Sequence, residues 1–352
     1  MSRKLLLKVN FGITVLVNVR VGICSHDWLC IASAKKCFGI ELSRVNSKTA
    51  LSLVCLLPTV PFLMKVAGFS FIRNAILFDY PIIEAITSVL PLCDEFVVAV
   101  GDSDDDTLGL IEAISSDKIR IIRTTWDEGA RTGGRVLAQE TDKALAAISP
   151  DVDWAFYIQG DEVLHEQYIP VVREAMQKYL SDQHVEGLLF NYLHFYGSYS
   201  YVGDSRQWYR REIRVIRNTG NVVAYRDAQG FRTRDNQKLK VKLIDAYIYH
   251  YGWVKPPEMQ KKRLRYANHF WNIGENIARA DARVDVFDYG QIDSLAHFTD
   301  THPAVMQPRV DRLNWPFTFD TSQKRYTPRV RFLTFIEKLT GWRIGEYKNY
   351  KL

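Results

Sequence analysis

A short buried strand that ends in a burst of polar groups constrains this chain most. Residues 153–166 read DWAFYIQGDEVLHE. Trp154 to Ile158 is an unbroken apolar and aromatic run, the pattern of a strand covered on both faces. It stops at Gln159-Gly160 and then releases Asp161, Glu162, His165 and Glu166. In open α/β sheets ligands gather beyond the carboxyl ends of the strands, where these groups would converge. Carboxylates there can hold a hard divalent cation, and the cation in turn a diphosphate. Taken alone, an acidic loop of this kind is more often a solvated strand-to-helix connection.

The surrounding chain gives that loop company. From Met64 on, strand and helix patterns alternate. Strands are expected at Lys65–Ile72, Glu95–Val100, Lys118–Thr124 and Trp154–Ile158. The helices between them begin at Pro81, near Leu108 and at Arg131, followed by Pro170–Leu180. Such alternation predicts an α/β fold, a mostly parallel sheet with helices on both faces, with a helical region after it. The second strand also runs into an acidic loop, Asp102-Ser-Asp-Asp-Asp106, on the same sheet edge as Asp161. Between the two lies a glycine-rich basic link, Glu128-Gly-Ala-Arg-Thr-Gly-Gly-Arg135. No Gly-x-Gly-x-x-Gly follows the first strand and no P-loop is present, which argues against dinucleotide and P-loop chemistry.

Further strands are expected at Val185–Tyr196, at Glu212–Ile216 as a half-exposed strand, and at Lys240–His250. A basic helix runs from Pro256 through Trp271, and residues 281–301 read as loop. Arg206, Arg210, Arg211, Arg214 and Arg217 crowd around Trp208 and Tyr209, either as a solvated face or as an anion site.

The net charge of +6 suits an anionic substrate or an acidic membrane surface and is too small to indicate nucleic acid. Cysteines stand at 24, 30, 37, 55 and 93, with no zinc spacing and none afterwards. That fits a reducing, cytoplasmic compartment. Residues 1–63 read unlike the remainder. Their apolar stretches are interrupted by charges or prolines, so they are expected to be an upstream, non-native or disordered extension ahead of a start at Met64. A membrane anchor is the rival reading.

With these motifs in view, residues 64–271 resemble glycosyltransferase family 2 and its relatives of the GT-A fold. The likeness is carried by Arg73-Asn74, by Val97–Thr107 and by Gln159-Gly-Asp161. A second feature is His250-Tyr-Gly-Trp-Val-Lys255-Pro256, similar to a C-terminal His-Gly-Lys-Pro element of such enzymes. The resemblance implies a metal-assisted, inverting transfer of sugar from a UDP- or GDP-sugar donor to a glycan, lipid-linked or other cell-envelope acceptor. It implies Asn74, Asp102 and Asp105 beside the nucleotide, Lys255 at the diphosphate, and Asp161 and His250 on Mn²⁺ or Mg²⁺. Asp227, ahead of Glu162, is then the candidate base for the acceptor hydroxyl. The chain departs from the family pattern at Gly101-Asp102, where two Asp are usual, and at Gln159, where Asp-x-Asp has its first carboxylate. Alternatives on a similar fold are a nucleotidyltransferase, which would want a glycine-rich basic loop after the first strand, and a non-catalytic sugar- or nucleotide-binding protein.

At the tail, Arg329–Lys351 combines an apolar stripe with basic residues and Trp342, Tyr347 and Tyr350. Its spacing suits a helix whose Phe332, Phe335, Ile336 and Leu339 pack on the domain while the basic stems face water. The other expectation is a peripheral contact with the inner face of a membrane.

Overall fold

The computed structural model of the chain describes residues 2–9, 13–20, 64–127, 129–130, 132–269 and 286–352. It divides into two compact units, Met1–Leu63 and Met64–Leu352. In the first, β1 (Ser2–Val9) and β2 (Ile13–Arg20) pair antiparallel, Ser2 opposite Arg20 and Val9 opposite Ile13. The features expected within residues 21–63 lie outside the described residues.

The second unit is built on a mixed sheet. The apolar runs form β3 (Val66–Ile72), β4 (Glu95–Gly101), β5 (Ile119–Thr124) and β6 (Trp154–Tyr157), and these four lie parallel in the order β6-β3-β4-β5. Crossing between them are α1 (Ile82–Val89), α2 (Thr107–Glu112) and α3 (Arg135–Ala146). Asp106 caps α2 by accepting from the Gly109 amide at 3.1 Å. The two faces of the sheet bury separate cores. Ile82, Ile86, Phe96, Trp154 and Phe156 gather on one, and Phe69, Val97, Ala144 and Tyr157 on the other. This is the α/β arrangement of the GT-A, Rossmann-like class, with parallel strands opening their carboxyl ends on one edge.

After β6 come β7 (Glu162–Leu164), α4 (Ile169–Lys178), β8 (Gly187–Tyr196), β9 (Ser198–Gly203) and β10 (Arg211–Arg217). They are followed by β11 (Val222–Tyr225), β12 (Gly230–Thr233) and the long β13 (Leu239–Trp253). β10 runs antiparallel between β6 and β8, and β13 runs parallel to β8. That insertion corrects the half-exposed strand expected at 212–216: β10 is buried almost throughout, its charged residues included.

The arginines near it are neither a solvated face nor a free anion site. Arg214 lies inside the core, and Arg217 donates to the carbonyls of Val185, Tyr179 and Asp182 with its guanidinium 4.3 Å above the Trp154 ring. Arg206 and Arg210 reach across to Glu337 and Glu346. The basic helix is α5 (Pro257–His269), and its expected end at Trp271 lies outside the described residues. The chain closes with β14 (Leu295–His297), α6 (Gln307–Asp311), α7 (Pro328–Thr340) and β15 (Tyr350–Lys351). In α7 the expected packing is found only in part: Ile336 is half-buried, while Phe332, Phe335 and Leu339 are exposed, because the helix turns Val330, Leu333 and the arginine-paired Glu337 inward.

Candidate functional site

The carboxyl edge of the parallel strands is held together by its own acidic loop. Asn74, just past β3, adopts φ 55° and is fully buried. Its amide side chain accepts from the Asp104 N–H at 2.7 Å and donates to the Asp104 carboxylate at 3.0 Å. Asp105 accepts from the Leu77 amide at 2.6 Å and the Thr107 amide at 3.0 Å. The Ala75 amide donates to the Thr107 hydroxyl at 2.7 Å. Asn74 and Asp105 are therefore engaged in joining two loops. Asp102 stays exposed, taking a hydrogen bond from Thr125 at 2.7 Å. Beside Asn74, the Arg73 guanidinium lies 5.5 Å from the Trp126 ring and 5.9 Å from the Tyr266 ring of α5. In the glycine-rich link, Glu128 and Arg131 fall outside the described residues.

At the end of β6, Asp161 and His250 meet. The main-chain carbonyl of Asp161 accepts from the Tyr251 amide at 2.8 Å, and its carboxylate stands 3.7 Å from Nε2 of His250. Gly252 explains why the space between them is open. A Cβ there would lie 2.6 Å from Asp161 Oδ2 and 2.9 Å from His250 Nε2, closer than any side chain tolerates.

The Nδ1 side of His250 is engaged by His194, on β8. The Nε2 of His194 is 2.8 Å from the Tyr209 carbonyl, which only accepts, so that nitrogen donates. Burial, helped by the neighbouring His250, pushes the His194 imidazole well below its usual range and keeps it neutral. Its Nδ1 therefore offers a lone pair, 3.2 Å from Nδ1 of His250, which must donate to it. Nε2 of His250 is thereby left turned to Asp161. Histidine ligands are commonly oriented by a hydrogen bond at their other nitrogen. Among the described residues no group of three or more His, Cys, Asp or Glu is placed to hold a metal ion. Asp161 and His250 are two groups of ligating chemistry side by side, so a cation held there would take its remaining ligands from a bound anion and water.

A cleft of about 450 Å³ opens on this pair, lined also by Trp253, Arg263, Leu264, Ala267 and Asn268. Arg263, with its guanidinium 5.7 Å from the Trp253 ring, adds a permanent cation to the same lining. Sequence reasoning passed over Arg263, Trp253 and the function of His194. The only signals were the basic character of α5 and a histidine at a strand end. Lys255, expected at the diphosphate, is fully buried, donates to the Asp79 carbonyl and lies 4.9 Å above the Tyr80 ring. Burial and the neighbouring Arg263 push its ammonium down to about 7.

Glu162 is part of the support beneath the site. Both its oxygens face the Arg214 guanidinium, at 2.7 and 2.8 Å, and both residues are wholly buried. Tyr192 adds a hydrogen bond at 2.8 Å and the Gln159 amide another at 3.2 Å. A carboxylate so committed has no oxygen left to take a proton from a substrate. Asp227 sits in the β11–β12 turn between Arg226 and Ala228, both at positive φ, and burial raises its carboxyl above the usual range. The turn reaches the site because Gln159 donates to the Ala228 carbonyl at 3.2 Å.

Next to Asp227, burial pushes the Glu212 carboxyl up to about 8, against the opposing pull of Arg214. The folded chain thus keeps a proton that the unfolded chain loses near the ordinary carboxylate value, so stability falls as pH rises between those two points. The slope from this group is about 1.4 kcal/mol per pH unit. Glu212→Gln is expected to melt above the wild type at pH 8, with the gap closing toward pH 5. A gap independent of pH would show that this carboxyl is ionised in the fold.

No family model matches the chain, and no curated protein matches it. Solved structures resemble parts of it. S. aureus TarS in complex with UDP is 14% identical, over 62% of this chain and 69% of that one, with a TM-score of 0.36. Glucosyl-3-phosphoglycerate synthase from Mycobacterium tuberculosis, in complex with Mn²⁺, UDP and phosphoglyceric acid, is 23% identical over 38% of this chain and 44% of that one, with a TM-score of 0.25. A 4-diphosphocytidyl-2C-methyl-D-erythritol synthase from Anaerococcus prevotii is 13% identical over 59% and 96%, with a TM-score of 0.34. These scores bear on no residue of the site.

Proposed function

We propose that this chain is a glycosyltransferase that moves a sugar from a nucleoside-diphosphate sugar to a hydroxyl of a glycan or lipid-linked acceptor, with inversion. One observation carries the reading. A carboxylate and an imidazole nitrogen face one another across a space that Gly252 leaves open, beside a cleft lined by Arg263 at the carboxyl edge of a parallel sheet. A carboxylate with an imidazole suits Mn²⁺ somewhat better than Mg²⁺. Asp161 and His250 would hold the ion, which supplies Lewis-acid stabilisation of the departing diphosphate.

The chain's own groups do the rest. Arg263 presents a planar, permanently charged fork to the diphosphate. Lys255 fixes the Asp79 carbonyl behind the site. Asp102, the one exposed carboxylate among the nucleotide-side candidates, is free to accept from a ribose hydroxyl, while Asn74 and Asp105 hold the loop that presents it. Asp227 takes the proton of the acceptor hydroxyl, its raised affinity for protons making it a better base than an ordinary surface carboxylate. Glu162, through Arg214, steadies the turn that carries Asp161.

Calorimetric titration of the full chain with UDP, with and without MnCl₂, tests the reading. Binding is expected only when the metal is present, and a screen of UDP- and GDP-sugars is expected to reveal slow hydrolysis of one of them. UDP binding that ignores the metal, or no binding at all, would remove the proposal.

A further inference from the structure

Helix α7 meets the rest of its unit through half-buried Val330, Leu333, Ile336 and Glu337 and leaves a second apolar face outside. Glu337 is turned inward, hydrogen-bonded to Arg206, 3.4 Å from Arg210 and 3.8 Å from Arg343. On the far side Phe332 is 63% exposed, Phe335 62%, Leu339 72% and Trp342, just beyond the helix, 64%. Their spacings of three and four residues make one continuous stripe. Arg331 and Lys338 lie along it and Arg329 close by, all exposed. The two acidic residues of 328–352 are Glu337 and Glu346, and both are spent on arginines, Glu346 through a two-pronged pair with Arg210 at 2.8 Å. The outward face is therefore apolar and cationic, with no carboxylate. Single exposed apolar residues are ordinary on a protein surface, whereas a row of four is a docking face.

We infer that this face docks on an anionic lipid bilayer. The helix would lie in the plane of the interface, with Phe332, Phe335, Leu339 and Trp342 at the acyl boundary and Arg329, Arg331 and Lys338 among the headgroup phosphates. A second copy of the chain is a poorer occupant. Pairing the stripe with itself would bring Arg331 and Lys338 of two molecules together without a counter-charge. Among the described residues no helix is long and apolar enough to cross a membrane, so the contact is peripheral. The inference rests on α7 alone and stands whether or not the chain transfers sugar.

Sedimentation of the full chain with vesicles tests it, using phosphatidylcholine alone and an equimolar mixture of phosphatidylcholine and phosphatidylglycerol. The chain is expected to pellet with the mixed vesicles at low salt and to be released as salt rises. Each basic residue near an anionic surface is worth roughly fivefold in partition. Replacing Arg329, Arg331 and Lys338 together by Gln should thus weaken binding about a hundredfold. Phe332→Ser with Phe335→Ser and Leu339→Ser should weaken it at least as much, on the order of a hundredfold, by removing the inserted side chains. All six positions are exposed, so the variants should melt with the wild type. Three results would overturn the inference. The chain could stay in the supernatant with both vesicles. It could pellet equally with both and ignore salt. Or it could sediment in an ultracentrifuge as a dimer that the serine variant dissociates, with no vesicle binding.

Discussion

Asp161→Asn is expected to abolish Mn²⁺-dependent UDP binding, with a loss of more than about a hundredfold in apparent affinity. The scale follows from metal sites generally, where even the outer partners of a ligand are worth ten- to a hundredfold. The fold should not notice. Asn has the shape of Asp, the side chain contributes little to the core, and the bond from the Tyr251 amide to the Asp161 main-chain carbonyl is untouched. His250→Ala should follow with a smaller loss that excess metal recovers. His194→Phe should be milder still, about tenfold, because it removes the acceptor that fixes the His250 proton and leaves the ligating nitrogen in place. The order of these three effects is itself the check. Equal losses, or none at Asp161, would show that the cation does not lie between these side chains.

Breaking the ion pair below the site should cost the most stability. Glu162→Gln leaves the Arg214 guanidinium buried without its counter-charge, and Arg214→Met leaves Glu162 in the same state. Either change is expected to lower the unfolding free energy by about 3–5 kcal/mol. Converting both to apolar residues, as in Glu162→Leu with Arg214→Met, should return a large part of that loss, since the unpaired charge rather than the missing bond dominates it. Urea denaturation of the three variants decides this. A double variant no better than the singles would mean that the hydrogen bonds from Arg214 to the Ile213 and Gln229 carbonyls matter as much as the charge pairing.

What could be read in the chain was whatever depended on local pattern. The four parallel strands, the proline-led helices and the Asp161 loop all follow from runs of apolar residues and the breaks between them. The fate of individual polar groups depended on distant partners and could not be read that way. Glu162 and Asp161 are neighbours in sequence, yet one is sealed against Arg214, fifty-two positions away, and the other opens on a cleft. Asn74 and Asp105 had the right chemistry for a nucleotide, and the structure engages them in tying the loop after β3 to the loop after β4. Arg263 had no signal beyond a basic helix. In α7 the apolar spacing was correct and the direction only partly so, because Val330, Leu333 and a glutamate held by two arginines turn inward and leave Phe332, Phe335 and Leu339 outside.

The relay that orients His250 ends on the carbonyl of Tyr209, a main-chain atom. Any residue at 209 supplies that oxygen, so drift at this position can change the ring against which His194 packs without reversing the direction of the proton. The geometry between Asp161 and His250 therefore rests on a few letters, Asp161, His194, His250 and Gly252, spread over some ninety positions.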